Sequence, residues 1–156
     1  MKLLLLLSGL LLVWPAAAQG ADPHSVFTLR GKCQTFVANT EDLTGICVGE
    51  VIQVVYTDSR VDLTIWTADA NGRFFVLSGM ASEQDGNLAL EIDQITEGKD
   101  RSGNDNLDTS ATGQCTLTGN PMAGPAQYTC DATDEVGISY KFAFLTDGSP
   151  PESLLD

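Results

Sequence analysis

Histidine occurs once in this chain of 156 residues, and bases of every kind are scarce: 8 Lys and Arg stand against 21 Asp and Glu, a formal charge of −13. The one histidine, His24, falls in an N-terminal segment expected to be mobile, and no Gly-x-Ser-x-Gly elbow accompanies it. That argues against a Ser-His-Asp triad, which needs a positioned imidazole between nucleophile and carboxylate. A His-Glu-x-x-His zinc motif and a phosphate-cradling glycine loop are absent as well. The shortage of positive charge disfavours nucleic acid and anionic lipid heads, whose phosphates have to be met by Lys and Arg. Acidity of this degree attracts a basic protein, a basic peptide or a metal ion, and it also simply keeps a chain dispersed in water.

The cysteines lack the spacings of metal and redox sites. There are four, with no Cys-x2–4-Cys cluster for zinc and no Cys-x-x-Cys redox motif. They form two near pairs, Cys33 with Cys47 and Cys115 with Cys130. Long apolar runs are missing outside the N-terminus. There, Lys2, the run Leu3–Val13, Trp14-Pro15 and Ala16-Ala17-Ala18 have the three-part pattern of an export signal. Residues 1–18 are therefore expected to be a signal peptide, with Gln19 as the new N-terminus. The run is shorter than the roughly 20 residues a membrane helix needs, so no membrane insertion is expected. No cysteine stands at the cleavage site, so a lipid anchor is not expected. Cleavage removes one base and no acid, making the charge more negative still. A secreted or periplasmic location is oxidising, so two disulfides are expected. Sequential pairing is favoured because each pair could close a local hairpin.

Helical periodicity is also lacking. Apolar residues alternate instead with period two, the signature of half-buried strands. Val61, Leu63 and Ile65 share one face, and Asp62, Thr64 and Trp66 the other. Leu88, Leu90 and Ile92 alternate with Ala89, Glu91 and Asp93, and Ile138, Tyr140, Phe142 and Phe144 with Ser139, Lys141 and Ala143. Asn71-Gly72 and Asp85-Gly86 supply hairpin turns that tolerate positive φ. Strands are expected at Phe27–Val37, Val48–Tyr56, Val61–Ala68, Arg73–Ser82, Asn87–Thr96, Gly113–Thr118, Tyr128–Ala132 and Gly137–Thr146, the second to fifth forming an antiparallel meander. The fold class is all-β: about eight antiparallel strands in a small barrel or a two-sheet sandwich, with two disulfides and at most one short helix. Residues 19–149 form one domain. Pro150-Pro151 marks its end, and 150–156 are expected to be a loose C-terminal tail.

Two features are candidate sites. Asp100, Ser102, Asn104, Asn106 and Asp108 place oxygen side chains at every second position of Glu97–Thr112, a segment expected to be a solvated loop. The spacing matches the start of an EF-hand calcium loop, but Asp105 replaces the required Gly, Ala111 replaces the bidentate Glu, and no helices flank it. These residues make at most a weak calcium site. Trp66, beside Asp62 and Thr64, is either a partner-binding anchor or an aromatic covered by a neighbouring strand or loop. Carboxylate pairs for a hydrolase are plentiful, but nothing singles one out. No cofactor is implied.

Several stretches resemble a group of short exported bacterial proteins of unknown function: Asn120-Pro121-Met122-Ala123-Gly124-Pro125, Cys130-Asp131-Ala132-Thr133, Gly137, Phe144-Leu145-Thr146-Asp147-Gly148, Gly31-Lys32-Cys33 and Gly72-Arg73. Tyr128-Thr129-Cys130-Asp131 is similar to a strand opening in periplasmic inhibitors of C-type lysozyme, which are small eight-stranded barrels. Their inhibitory Ser-Gly-x-x-Tyr motif is not matched, because Ser78-Gly79 is followed by Met80, Ala81 and then Ser82. The expectation is a non-enzymatic exported domain that binds or scaffolds a partner in the bacterial envelope. The alternative is an inhibitor of a cationic hydrolase such as a lysozyme. In either case a basic protein is the expected partner.

Overall fold

The computed structural model describes residues 21–155 except 71, 85, 86, 101, 103 and 104, so the expected signal peptide lies outside the described residues. The strands are β1 (Pro23–Ala38), β2 (Glu41–Asp42), β3 (Cys47–Tyr56), β4 (Arg60–Thr67), β5 (Phe74–Gln84), β6 (Asn87–Gly98), β7 (Asn106–Thr118), β8 (Gln127–Asp134), β9 (Ser139–Thr146) and β10 (Glu152–Ser153). A single 3₁₀ turn, Thr44–Ile46, is the only helical element among the described residues. The expected meander is present: β3 to β9 follow one another as antiparallel neighbours. The sequence left barrel and sandwich open. Pairing of β1 with both β3 and β9 closes the sheet into an eight-stranded barrel, with β2 and β10 as additions.

β1 is long enough to serve both edges. Its first half pairs with β3 from Pro23 to Arg30, and its second half with β9 from Gly31 to Ala38. A register shift between Cys33 and Thr35 bends it around the barrel, as β-bulges do. At Gly31 a side chain would collide with the Leu145 carbonyl oxygen, so only glycine permits this approach of β1 to β9.

Period-two alternation fills the interior. Leu29, Val51, Ile65 and Phe75 stand opposite one another across four strands, and all are buried. Phe36 meets Phe75 and Phe142 edge-on, with ring centroids 5.1 and 5.8 Å apart, geometries favoured by the ring quadrupoles. Phe142 and Phe144 complete this cluster from β9. A void of about 10 Å³ beside Leu63, Leu90, Cys115 and Tyr128 is too small for any ligand. The interior is thus a packed core, as expected for a barrel of this strand number.

Both disulfides form with the expected pairing. Cys115 and Cys130 are direct cross-strand partners in the β7–β8 hairpin. Cys33–Cys47 does not close a simple hairpin: β2 and the 3₁₀ turn lie between, and the bridge ties the middle of β1 to the start of β3.

Three expectations are corrected. The segment Glu97–Thr112 is not one loop, since β6 runs to Gly98 and β7 starts at Asn106. Asn106 to Ser110 pair with β6 alone, while β8 joins β7 only from Ala111. A hairpin arm extending beyond the barrel needs no apolar side, so its polar sequence gave no strand signal. His24 is not in a mobile segment but in β1, whose first residue, Pro23, is opposite Tyr56. The tail is not loose at Glu152–Ser153. These residues pair with Thr28 and Phe27, Leu154 N–H donates to the Val26 carbonyl, and Glu152 accepts from Arg30. Pro150-Pro151 interrupts the pairing and the chain resumes it afterwards, because β1 still offers unpaired backbone there.

Candidate functional site

Alternation along β4 sends Val61, Leu63, Ile65 and Thr67 into the core and leaves Asp62, Thr64 and Trp66 in one outward row. Each is half-buried, because the neighbouring strands crowd this face. The register places Val54 of β3 and Ser78 of β5 beside Asp62, and Ile52 and Val76 beside Thr64. On β1, Val26 stands beside Val54. The outer face of β1, β3, β4 and β5 therefore carries a patch of half-buried aliphatics, Val26, Ile52, Val54 and Val76, around the β4 row. Sequence reasoning missed these four, because each strand alone reads as apolar on both faces. Only the cross-strand register gathers them.

Trp66 packs on Phe74, with ring centroids 4.9 Å apart. Phe74 in turn lies across Gly98, where a side chain would strike its ring. Glycine in a strand leaves a gap, and here the aromatic fills it. Trp66 is thus partly covered by a neighbouring strand and partly open.

Asp62 is the electrostatic centre of the patch. Its Oδ2 accepts from the Tyr56 hydroxyl at 2.8 Å. Burial, reinforced by this carboxylate, pushes the Tyr56 phenol up to about 12. Oδ1 of Asp62 is screened from water and has no hydrogen-bond partner among the described residues, a costly condition for a carboxylate oxygen. Arg60 lies two residues away on the same face. It forms a fork with Asp93, at 2.9 and 2.7 Å.

The other described arginines are likewise engaged. Arg30 meets Glu50 and Glu152, at 3.3 and 2.8 Å. Arg73 meets Glu41 and Asp69, both at 2.9 Å. The Arg73 guanidinium holds the Asp69 carboxyl down at about 2. Since these cations are locally neutralised, the excess carboxylates set the field around the molecule.

The candidate calcium ligands are not brought together as a loop. Asn106 and Asp108 belong to β7, opposite Gly98 and Thr96, and Asp108 accepts from the Thr96 hydroxyl at 2.6 Å. Asp100 caps its own turn by accepting from the Ser102 amide and hydroxyl. Asn104 lies outside the described residues. Among the described residues no group of three or more His, Cys, Asp or Glu is placed to hold a metal ion, and no helix is long and apolar enough to cross a membrane.

Comparison with protein-family models, with curated proteins and with solved structures found no match for this chain.

Proposed function

We propose that this protein is an exported, non-enzymatic β-barrel that binds a basic protein of the bacterial envelope through the outer face of β3, β4 and β5. The observation that carries this reading is the half-buried row Asp62, Thr64 and Trp66, set among Ile52, Val54 and Val76 on a sheet face that no described element covers. An apolar patch with an aromatic anchor is the usual centre of a protein interface. Asp62, with one oxygen that has no partner among the described residues, offers an acceptor to a Lys or Arg of the partner. The two disulfides suit an oxidising compartment.

The test is affinity capture from envelope extracts with the processed protein and its Trp66→Ala variant. Recovery of a basic protein by the parent, with recovery at least roughly tenfold lower for the variant, as for an anchor residue, supports the reading. Equal capture by both proteins removes Trp66 from the interface, and turnover of an envelope polysaccharide would make the protein an enzyme instead.

A second reading, inhibition of a cationic hydrolase such as a lysozyme, is favoured by the eight-stranded barrel together with the acidic charge. Ser78-Gly79 lies mid-strand in β5 with Ser78 buried, so any inhibition would need a contact other than the Ser-Gly-x-x-Tyr loop. Undiminished cell-wall hydrolysis by a C-type lysozyme mixed with excess protein rules this reading out.

A further inference from the structure

The barrel interior is filled, but one mouth holds an open groove of about 530 Å³. That volume is within the range of small-molecule sites, about 300–1,000 Å³, and barrel mouths are a common place for them. Val55 and Ala81, both packed on the core, form its floor. Leu88, an exposed apolar residue at 38 % accessibility, forms a wall. The rim carries His24, Tyr56, Ser59 and Glu83.

The groove is built rather than incidental. Thr57 N–H donates to the Asp22 carbonyl, Ser59 N–H to the Tyr56 carbonyl, and Ala81 N–H to the Ser59 carbonyl, at 3.1, 3.1 and 2.9 Å. These bonds hold Ser59 at φ 72°, a left-handed conformation unfavourable for a residue with a side chain. The left-handed residue closes the tight turn from β3 to β4 and fixes the Ser59 side chain at the rim.

The chemistry of the rim selects a ligand class. Tyr56 has already committed its only hydroxyl proton to Asp62, so its oxygen can only accept. Among the described lining residues Glu83 is the only formally charged side chain, and neither Lys nor Arg is present. His24, Thr57, Ser59 and Ser82 can donate as well as accept, so charge makes the selection: a carboxylate with no described Lys or Arg beside it, above an aliphatic floor, suits a cation with an apolar body. The geometry points to a binding site for a small amphipathic organic cation, an ammonium group carried on an aliphatic or aromatic frame. This site has a different lining from the outer-face patch proposed above and adjoins it through the Tyr56–Asp62 bond.

The test is a titration of isotope-labelled processed protein, followed by amide NMR shifts, with octylammonium and with octanoate as probes. Octylammonium is expected to shift His24, Tyr56, Ser59 and Leu88 saturably, octanoate is not, and Glu83→Gln is expected to weaken octylammonium several-fold. Glu83 is exposed, so this variant should keep the dispersed spectrum of a folded barrel. Equal response to octanoate, unchanged octylammonium affinity in folded Glu83→Gln, or no saturable shift at millimolar probe would each overturn the proposal. No protein partner is present in this experiment, so failure here and failure of the outer-face reading are told apart.

Discussion

Residue by residue, the tyrosines show how burial and charge act together. The chain has three, Tyr56, Tyr128 and Tyr140. Each donates its hydroxyl proton: Tyr56 to Asp62, Tyr128 to Gln53 at 2.7 Å, and Tyr140 to Asp134 at 3.5 Å. Burial raises the pKa of all three above 10.0, Tyr56 and Tyr140 to about 12 with added repulsion from Asp62 and Asp134. The fold therefore favours the neutral phenol. That stabilisation is complete below the unfolded value near pH 10 and is lost as pH rises through about 12. The expected result of an alkaline titration is phenolate absorbance that appears above pH 10 in step with loss of near-UV circular dichroism. A tyrosine that ionises near pH 10 while the barrel remains folded would contradict this. Trp66 and Asp62 were visible as candidates from alternation alone. Tyr56 was not, because its role depends on the β3–β4 register that sets it against Asp62.

At the level of elements, the two disulfides do different work although each spans a similar length of chain, 14 and 15 residues. In the chain-entropy model each loop closure is worth about 3 kcal/mol. Cys115–Cys130 joins strands already paired from Ala111–Asp134 to Thr118–Gln127. Cys33–Cys47 acts beyond the end of the β1–β3 ladder, whose last pair is Arg30–Glu50. Replacing either pair by alanine is expected to lower urea stability by about 3 kcal/mol. Only the Cys33→Ala/Cys47→Ala protein should also show faster amide exchange confined to residues 43–49. Uniform acceleration in both variants would refute this division. The polar arm of β7 and the docked β10 were invisible in the sequence for a related reason. A strand that extends past the core, or that is two residues long, is held by backbone hydrogen bonds, and these leave no trace in side-chain pattern.

Across the whole molecule, charge is the dominant property. With 21 acids against 8 bases and the described arginines ion-paired, the surface field steers cations toward any interface. Screening shortens its reach to about 8 Å at physiological ionic strength. For a captured basic partner, the association rate is expected to fall clearly between low and physiological salt. Trp66→Ala should instead act chiefly on dissociation, as an anchor does. A salt-insensitive association rate would mean that the acidity serves solubility alone.

Alternation and turn residues were enough to establish an all-β meander, the eight barrel strands and the faces of β4, because period two and positive-φ turns are local properties. The separation of the cysteines was enough to suggest their pairing. Closure was decided only in three dimensions. Whether eight strands make a barrel or a sandwich depends on β1 bending at Gly31 and Cys33 to meet β9, which stands more than a hundred residues later in the chain. The aliphatics beside Asp62 and Thr64 and the groove beside His24 do not need that closure: neighbouring strands β1, β3, β4, β5 and β6 supply them. Their alignment was still set in three dimensions, because register follows the packing of the core and not any segment alone.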